Sequence, residues 1–229
     1  MNHFLPYFEK KLIKSCDLAV YTNPIVAEHL AEIYPAYKNK LTWVPTSFPA
    51  DDDAAKTDTI EYDVGYFGDY LQAYRDIRPL IESLKHNGMS ACICGKGDIE
   101  IRQDEKIHVY GKVPLTQAEA FKAKCEILVI LANETSTEKR SLQIPGKLYH
   151  YALSNKPILF LTNDSTVEKY YGVYNRFVFA ENNVNTISKA LRNIKNGVYS
   201  DTAKPLNDFT PTHVAQEFLN KVKELNNHG

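Results

Sequence analysis

The sequence predicts an α/β protein built on a doubly wound, Rossmann-like parallel sheet. Beyond residue 58, short runs rich in β-branched and aromatic residues alternate with amphipathic helical stretches, the pattern that covers both faces of a parallel sheet with helices. Before it, Asp17 to Thr22, Pro24 to Ile33 and Leu41 to Val44 form a strand, helix and strand, a βαβ fragment that needs further strands to bury its faces. With 229 residues, the chain has ample length for a core and for a domain with a substantial appendage.

Taken in order, His3 to Ser15 is expected as a helix whose Leu5, Phe8, Leu12 and Ile13 share a stripe. Asn23 caps the next helix and Pro24 occupies its first position. Pro45 to Thr59, with Pro49 and the acidic run Asp51 to Asp53, has the composition of a connecting segment. The expected division is therefore residues 1–57, a layer fragment plus linker, and residues 58–229. In the second part, strands are expected at Tyr62 to Phe67, Ser90 to Cys94, Ile107 to Tyr110, Ile127 to Leu131, Pro157 to Leu161 and Phe177 to Phe179. The helices are Ile77 to Asn87, Thr116 to Lys124, Pro145 to Ser154, Ser165 to Tyr171, Val184 to Asn196 and Thr212 to Leu225.

Composition excludes several classes. The chain has 27 basic and 28 acidic side chains, so no bulk field recruits nucleic acid. The basic cluster Lys10, Lys11 and Lys14 is compatible with a solvated face or with weak peripheral contact with a membrane surface. No apolar run approaches the ~20 residues that span a bilayer, and Glu9, Lys10 and Lys11 interrupt any secretory leader. A cytoplasmic protein is expected. Cys16, Cys92, Cys94 and Cys125 are scattered and suit buried thiols better than a metal site. Histidine spacing supports no zinc centre, and neither a Walker A loop nor a G-x-S-x-G elbow occurs.

Ligands of doubly wound sheets bind at the carboxyl ends of strands, near the switch in strand order. After the first strand of the second part come Gly68, which permits close backbone approach, and Arg75, which can hold a phosphate with two hydrogen bonds. After the second, Gly95-Lys96-Gly97 lacks the third glycine of the dinucleotide fingerprint and suits a tight turn. Pro145-Gly146-Lys147 opens a helix after a buried strand; free N–H groups, the positive dipole end and a lysine make an anion site in outline. Tyr170, Tyr171 and Tyr174 are expected to pack between layers.

Several pieces stand in a recognisable order: Val64-Gly65-Tyr66-Phe67-Gly68 with Arg75, Cys92-Ile93-Cys94-Gly95-Lys96-Gly97, Val109-Tyr110-Gly111-Lys112-Val113, and Ile144-Pro145-Gly146-Lys147-Leu148-Tyr149-His150-Tyr151 through Lys156-Pro157-Ile158-Leu159. With the N-terminal strand pair and a closing helix at Phe209 to Leu225, the chain resembles the C-terminal, donor-binding half of a GT-B glycosyltransferase of group 1, the retaining family 4 type. Residues 1–57 would then be the remnant of the acceptor domain, and residues 58–229 the donor domain with its closing helix, which in this family crosses back to the first domain. The resemblance implies a nucleotide-diphosphate sugar as donor substrate, with no metal or other cofactor. Gly111, Lys112 and Val113 would meet the base, while Gly68, Arg75, Gly146 and Lys147 would meet the diphosphate. The transferred sugar would lie near the loop from Asn133 to Gln143.

The family's paired glutamates fall on Leu142 and His150 here, and Glu134 and Glu138 are out of register. His150 could still hydrogen-bond a ribose hydroxyl; no catalytic residue is assigned. The implied activity is transfer of a hexose to a polysaccharide or lipid-linked acceptor in polysaccharide biosynthesis, when combined with a complete acceptor domain. A partner subunit carrying that domain, or self-association, is expected. The alternative is a non-catalytic nucleotide-sugar-binding or assembly subunit of a split enzyme.

Overall fold

The computed structural model describes residues 4–48, 59–133, 142–154, 156–174, 176–198 and 207–226. Contacts group the chain into two compact units, Met1–Ala50 with Leu206–Gly229, and Asp51–Pro205.

In the first unit, α1 (Phe4–Ser15), β1 (Ala19–Tyr21), α2 (Pro24–Ile33), a 3-10 turn at Pro35–Lys40 and β2 (Leu41–Trp43) follow one another. Strands β1 and β2 pair in parallel, Ala19 opposite Leu41 and Tyr21 opposite Trp43. The Asn23 side chain accepts the N–H of Val26 at 3.0 Å and so caps α2. Ile13, Leu30 and Tyr34 form the unit's small core, and the Tyr34 hydroxyl bonds the Pro6 carbonyl and the Glu9 carboxylate. The stripe expected on α1 is only partly used. Ile13 is buried, but Phe8 and Leu12 face outward, 54% and 68% exposed, because one turn of contact with Tyr34 and Leu30 covers a single row of the helix.

The second unit carries β3 (Tyr62–Phe67), α3 (Arg78–His86), β4 (Ala91–Cys94), β5 (Ile107–Gly111), α4 (Leu115–Ala123), β6 (Cys125–Leu131), α5 (Lys147–Ala152), β7 (Ile158–Leu161), α6 (Ser165–Tyr171), β8 (Phe177–Ala180) and α7 (Val184–Lys195). The six strands are all parallel, in the order β5-β4-β3-β6-β7-β8. Successive strands step outward from β3 in one direction and then, from β6, in the other. That reversal opens a crevice at the carboxyl ends of β3 and β6. Val64, Ile93, Val129 and Leu159 from the central strands meet Leu80, Leu84, Leu191 and Ile194 from α3 and α7 in the core. Cys92, Cys94 and Cys125 are buried as free thiols. The helix α8 (Pro211–Asn226), expected as the closing element of the second part, groups by its contacts with the first unit.

Several elements are shorter than expected, β1 and α5 most of all. Helix α5 starts at Lys147 and ends at Ala152, where Pro145 to Ser154 was anticipated. The chain at Pro145 and Gly146 forms a turn, with the Leu148 N–H on the Pro145 carbonyl at 2.9 Å. At the other end the buried Arg176 guanidinium takes the Ala152 carbonyl at 2.8 Å, ending the helix with a cation on its last turn. Tyr171 packs on Tyr149, hydroxyls 2.9 Å apart, and edge-on to Phe177, so it is interlayer packing. Among the described residues no helix is long and apolar enough to cross a membrane.

Candidate functional site

The crevice holds a cleft of about 470 Å³ lined by the loops after β3, β4 and β5 and by one side each of α4 and α5. The three loops are tied by backbone. The Gly68 N–H donates to the Cys94 carbonyl at 2.7 Å, and the Gly95 N–H to the Gly111 carbonyl at 2.8 Å. This approach is too close for side chains. A Cβ on Gly95 would stand 2.0 Å from the Gly68 carbonyl oxygen. Gly111 is needed for another reason: its φ of +67° turns the chain out of β5 and delivers Lys112 and Val113 to the cleft wall.

The cations differ in how they are satisfied. Lys112 pairs with Asp69 at 3.0 Å. The Lys96 N–H and then Lys112 hold the Asp69 carboxyl below its usual range. Lys122 pairs with Glu119 one turn earlier on α4. Arg75 is held differently: its Nε donates to Asn133, whose amide in turn donates to Gln143 at 2.9 Å, and Nη1 lies 3.4 Å from the Asp69 carbonyl. Lys147 projects from the start of α5 across Gly68, where a Cβ would collide with its ammonium, and lies over the Tyr66 ring at 5.6 Å. Among the described residues neither Arg75 nor Lys147 makes an ion pair. Burial, and then the charge of Arg75, push the Lys147 ammonium down to about 8. Two cations without an ion pair among the described residues thus share one end of the cleft, with Asp69 acting on Lys147 from a distance.

On the opposite wall, His150 Nε2 lies 3.2 Å from Lys122 Nζ and 3.7 Å from Glu119 Oε1. Tyr151 is buried beside them, and its hydroxyl has no hydrogen-bond partner among the described residues. Of the residues anticipated from sequence, Gly68, Arg75, Lys112, Val113, Lys147 and His150 line this one cleft. Gly111 backs it through the Gly95 hydrogen bond, and Gly146 precedes α5 without lining it. With six residues, α5 is too short for a strong dipole, so the anion-binding character rests on side-chain cations. Arg78 is turned to the surface and paired with Asp76 at 2.6 Å. Residues 134–141, including Glu134, Glu138 and most of the loop expected near a sugar, lie outside the described residues. Among the described residues no cluster of histidine, cysteine or carboxylate side chains could hold a metal ion.

Sequence reading missed Asp69, Glu119, Lys122 and Asn133 as partners in the cleft. Glu119 and Lys122 carried a faint signal, being three apart on an expected helix. The pairing of Asp69 with Lys112 had none, since it depends on β4 lying between β3 and β5.

No protein-family model matches the chain, and no curated protein matches it in sequence. Solved structures do. A glycosyltransferase from Rickettsia africae superposes with a TM-score of 0.68 at 16% identity, covering 98% of this chain and 67% of its own. HepE of Anabaena, solved in complex with UDP, gives 0.61 at 13% identity, covering 91% of this chain and 64% of its own. TarM gives 0.60 at 14% identity, with 93% and 45% covered. The chain therefore has a GT-B glycosyltransferase-like fold, and it spans from under half to two thirds of the length of these neighbours.

Proposed function

We propose that this cleft binds the diphosphate of a nucleotide sugar and that the chain is the donor-binding part of a glycosyltransferase. The observation that carries the proposal is that Arg75 and Lys147, neither in an ion pair among the described residues, share one cleft at the switch point of the sheet. The Arg75 charge disfavours the Lys147 ammonium; an anion between the two side chains relieves that, and a diphosphate offers oxygens to both. As the sugar departs, charge gathers on that diphosphate, so the same pair would stabilise the leaving group without a metal or other cofactor. The backbone turn from Gly111 to Val113 would face the base. His150, backed by Glu119, would meet a ribose hydroxyl, a hydrogen-bonding pair where the family carries one glutamate. HepE of Anabaena has also been solved with UDP and glucose, which supports a nucleotide-sugar ligand for this fold.

The acceptor, a polysaccharide or lipid-linked glycan in this reading, and exclusion of water from the reaction would require an acceptor domain supplied by further chain or by a partner. Leu142 stands where a sugar-side glutamate is expected, which favours as second reading a subunit that binds nucleotide sugar without catalysis. A thermal-shift panel of uridine, guanosine, adenosine and thymidine diphosphate sugars tests the binding reading. One of them should raise the melting temperature at millimolar concentration, and Lys147→Ala should weaken it about tenfold or more. Absence of any shift, or unchanged affinity in the variant, would overturn it. Sugar transfer by the chain supplemented with an acceptor domain then separates the enzyme from the binding subunit.

A further inference from the structure

Helix α1 exposes what a globular protein usually covers. Its inward row is Ile13, with Glu9 half-buried and accepting the Tyr34 hydroxyl at 3.1 Å. Apart from Pro6 and Ser15 at its ends, the residues described as exposed on this helix are large and apolar or cationic. Side chains four apart share a row on a helix, and three such rows lie side by side: Phe8 with Leu12, Tyr7 with Lys11, and Lys10 with Lys14. All six are exposed. Tyr7 and Phe8 are in edge-on ring contact, centroids 5.7 Å apart, so the apolar part is a continuous patch.

We propose that this face of α1 docks on an anionic lipid bilayer, the helix lying in the plane of the surface. The ordering of the rows supports that occupant. Phe8 and Leu12 form one flank that can enter the acyl boundary, Lys10 and Lys14 form the other at headgroup level, and Tyr7 and Lys11 lie between with polar tips on apolar stems. A second copy of the chain suits the face less well. It would cover the rings, but an isologous contact sets three lysines against three others, and the one acid on the helix is engaged by Tyr34. The inference does not depend on what the cleft binds.

The test uses the intact chain and sedimentation with vesicles. Binding is expected to vesicles of mixed phosphatidylglycerol and phosphatidylethanolamine, to weaken with salt, and to be absent with phosphatidylcholine alone. Each lysine near an anionic surface contributes about fivefold in partitioning, so joint replacement of Lys10, Lys11 and Lys14 by glutamine should lower it about a hundredfold. Joint Phe8→Ser and Leu12→Ser should lower it about tenfold or more with the lysines intact. These side chains are exposed, so melting temperatures should stay unchanged, which separates lost docking from lost folding. Equal binding to both lipid compositions, no binding by the intact chain, or retained binding in either variant would overturn the proposal. So would concentration-dependent self-association abolished by the serine pair without vesicle binding.

Discussion

Burial and Arg75 lower the Lys147 ammonium to about 8, below the value near 10.5 that it takes in the unfolded chain. The folded state therefore penalises the charged form. That penalty is fully present below pH 8 and is relieved as pH rises toward 10.5. Lys147→Met should thus stabilise the free protein at pH 7, and the gain in a denaturant melt should shrink above pH 8. Binding runs the opposite way, because a phosphate needs the ammonium. Nucleoside-diphosphate affinity, measured by calorimetry, should fall about tenfold between pH 7.5 and 9 in the native chain and stay flat in Lys147→Met. Tyr151 makes a different point. A buried hydroxyl with no partner among the described residues is a cost, so Tyr151→Phe should stabilise the chain by about 1 kcal/mol, a rise of about 3 °C in the melting temperature. A lower melting temperature would mean that the hydroxyl is bonded in the native state.

At the scale of elements, α7 is fastened to the sheet at the end away from the cleft. Lys195 meets Asp63 of β3 at 2.6 Å and also Glu126 of β6, while Asp63 accepts the N–H and hydroxyl of Ser90. Burial pushes the Asp63 carboxyl up, but Lys195 and Ser90 outweigh it and hold it below its usual range. This contribution is present above the unfolded carboxylate value near 3.9 and is lost as pH falls through the lower folded value. Lys195→Ala should cost about 1 to 2 kcal/mol at pH 7, since the groups are only partly shielded from water. The acid limb of its stability curve should be shallower, as acid titration would show. Periodicity found such elements well. The expected β3 and α6 coincide with the observed ones, and the other strands differ only at their ends, because continuous apolar runs between helices leave few alternatives. It failed where a short-range pattern does not fix a long-range contact. The 3-10 turn at Pro35–Lys40 has no periodic signature, α5 is cut short by Arg176 from beyond β7, and of the described apolar stripe of α1 Ile13 is buried while Phe8 and Leu12 stay exposed. The site was legible to the same degree. Glycines and cations after strands were visible and the Glu119–Lys122 pair was faintly so, whereas the acid that pairs with Lys112 emerged only once the sheet order was known.

For the whole molecule, the distribution of these features between the two units has a consequence. Every residue lining the cleft belongs to Asp51–Pro205, which also holds the complete six-stranded sheet and a core drawn from its strands, α3 and α7. Among the described residues the first unit has a two-stranded sheet and a small core around Ile13. A two-stranded sheet is marginal by itself, so the stability of the chain resides mainly in the second unit. A fragment spanning Asp51–Pro205 should therefore melt cooperatively by circular dichroism. It should bind whichever nucleotide sugar the intact chain binds to within about threefold, less than 1 kcal/mol. It should also lose the vesicle binding assigned to α1, because that helix lies in the first unit. If the fragment folds but its nucleotide affinity falls by tenfold or more, part of the donor site must come from the first unit, and the cleft would be only one wall of it.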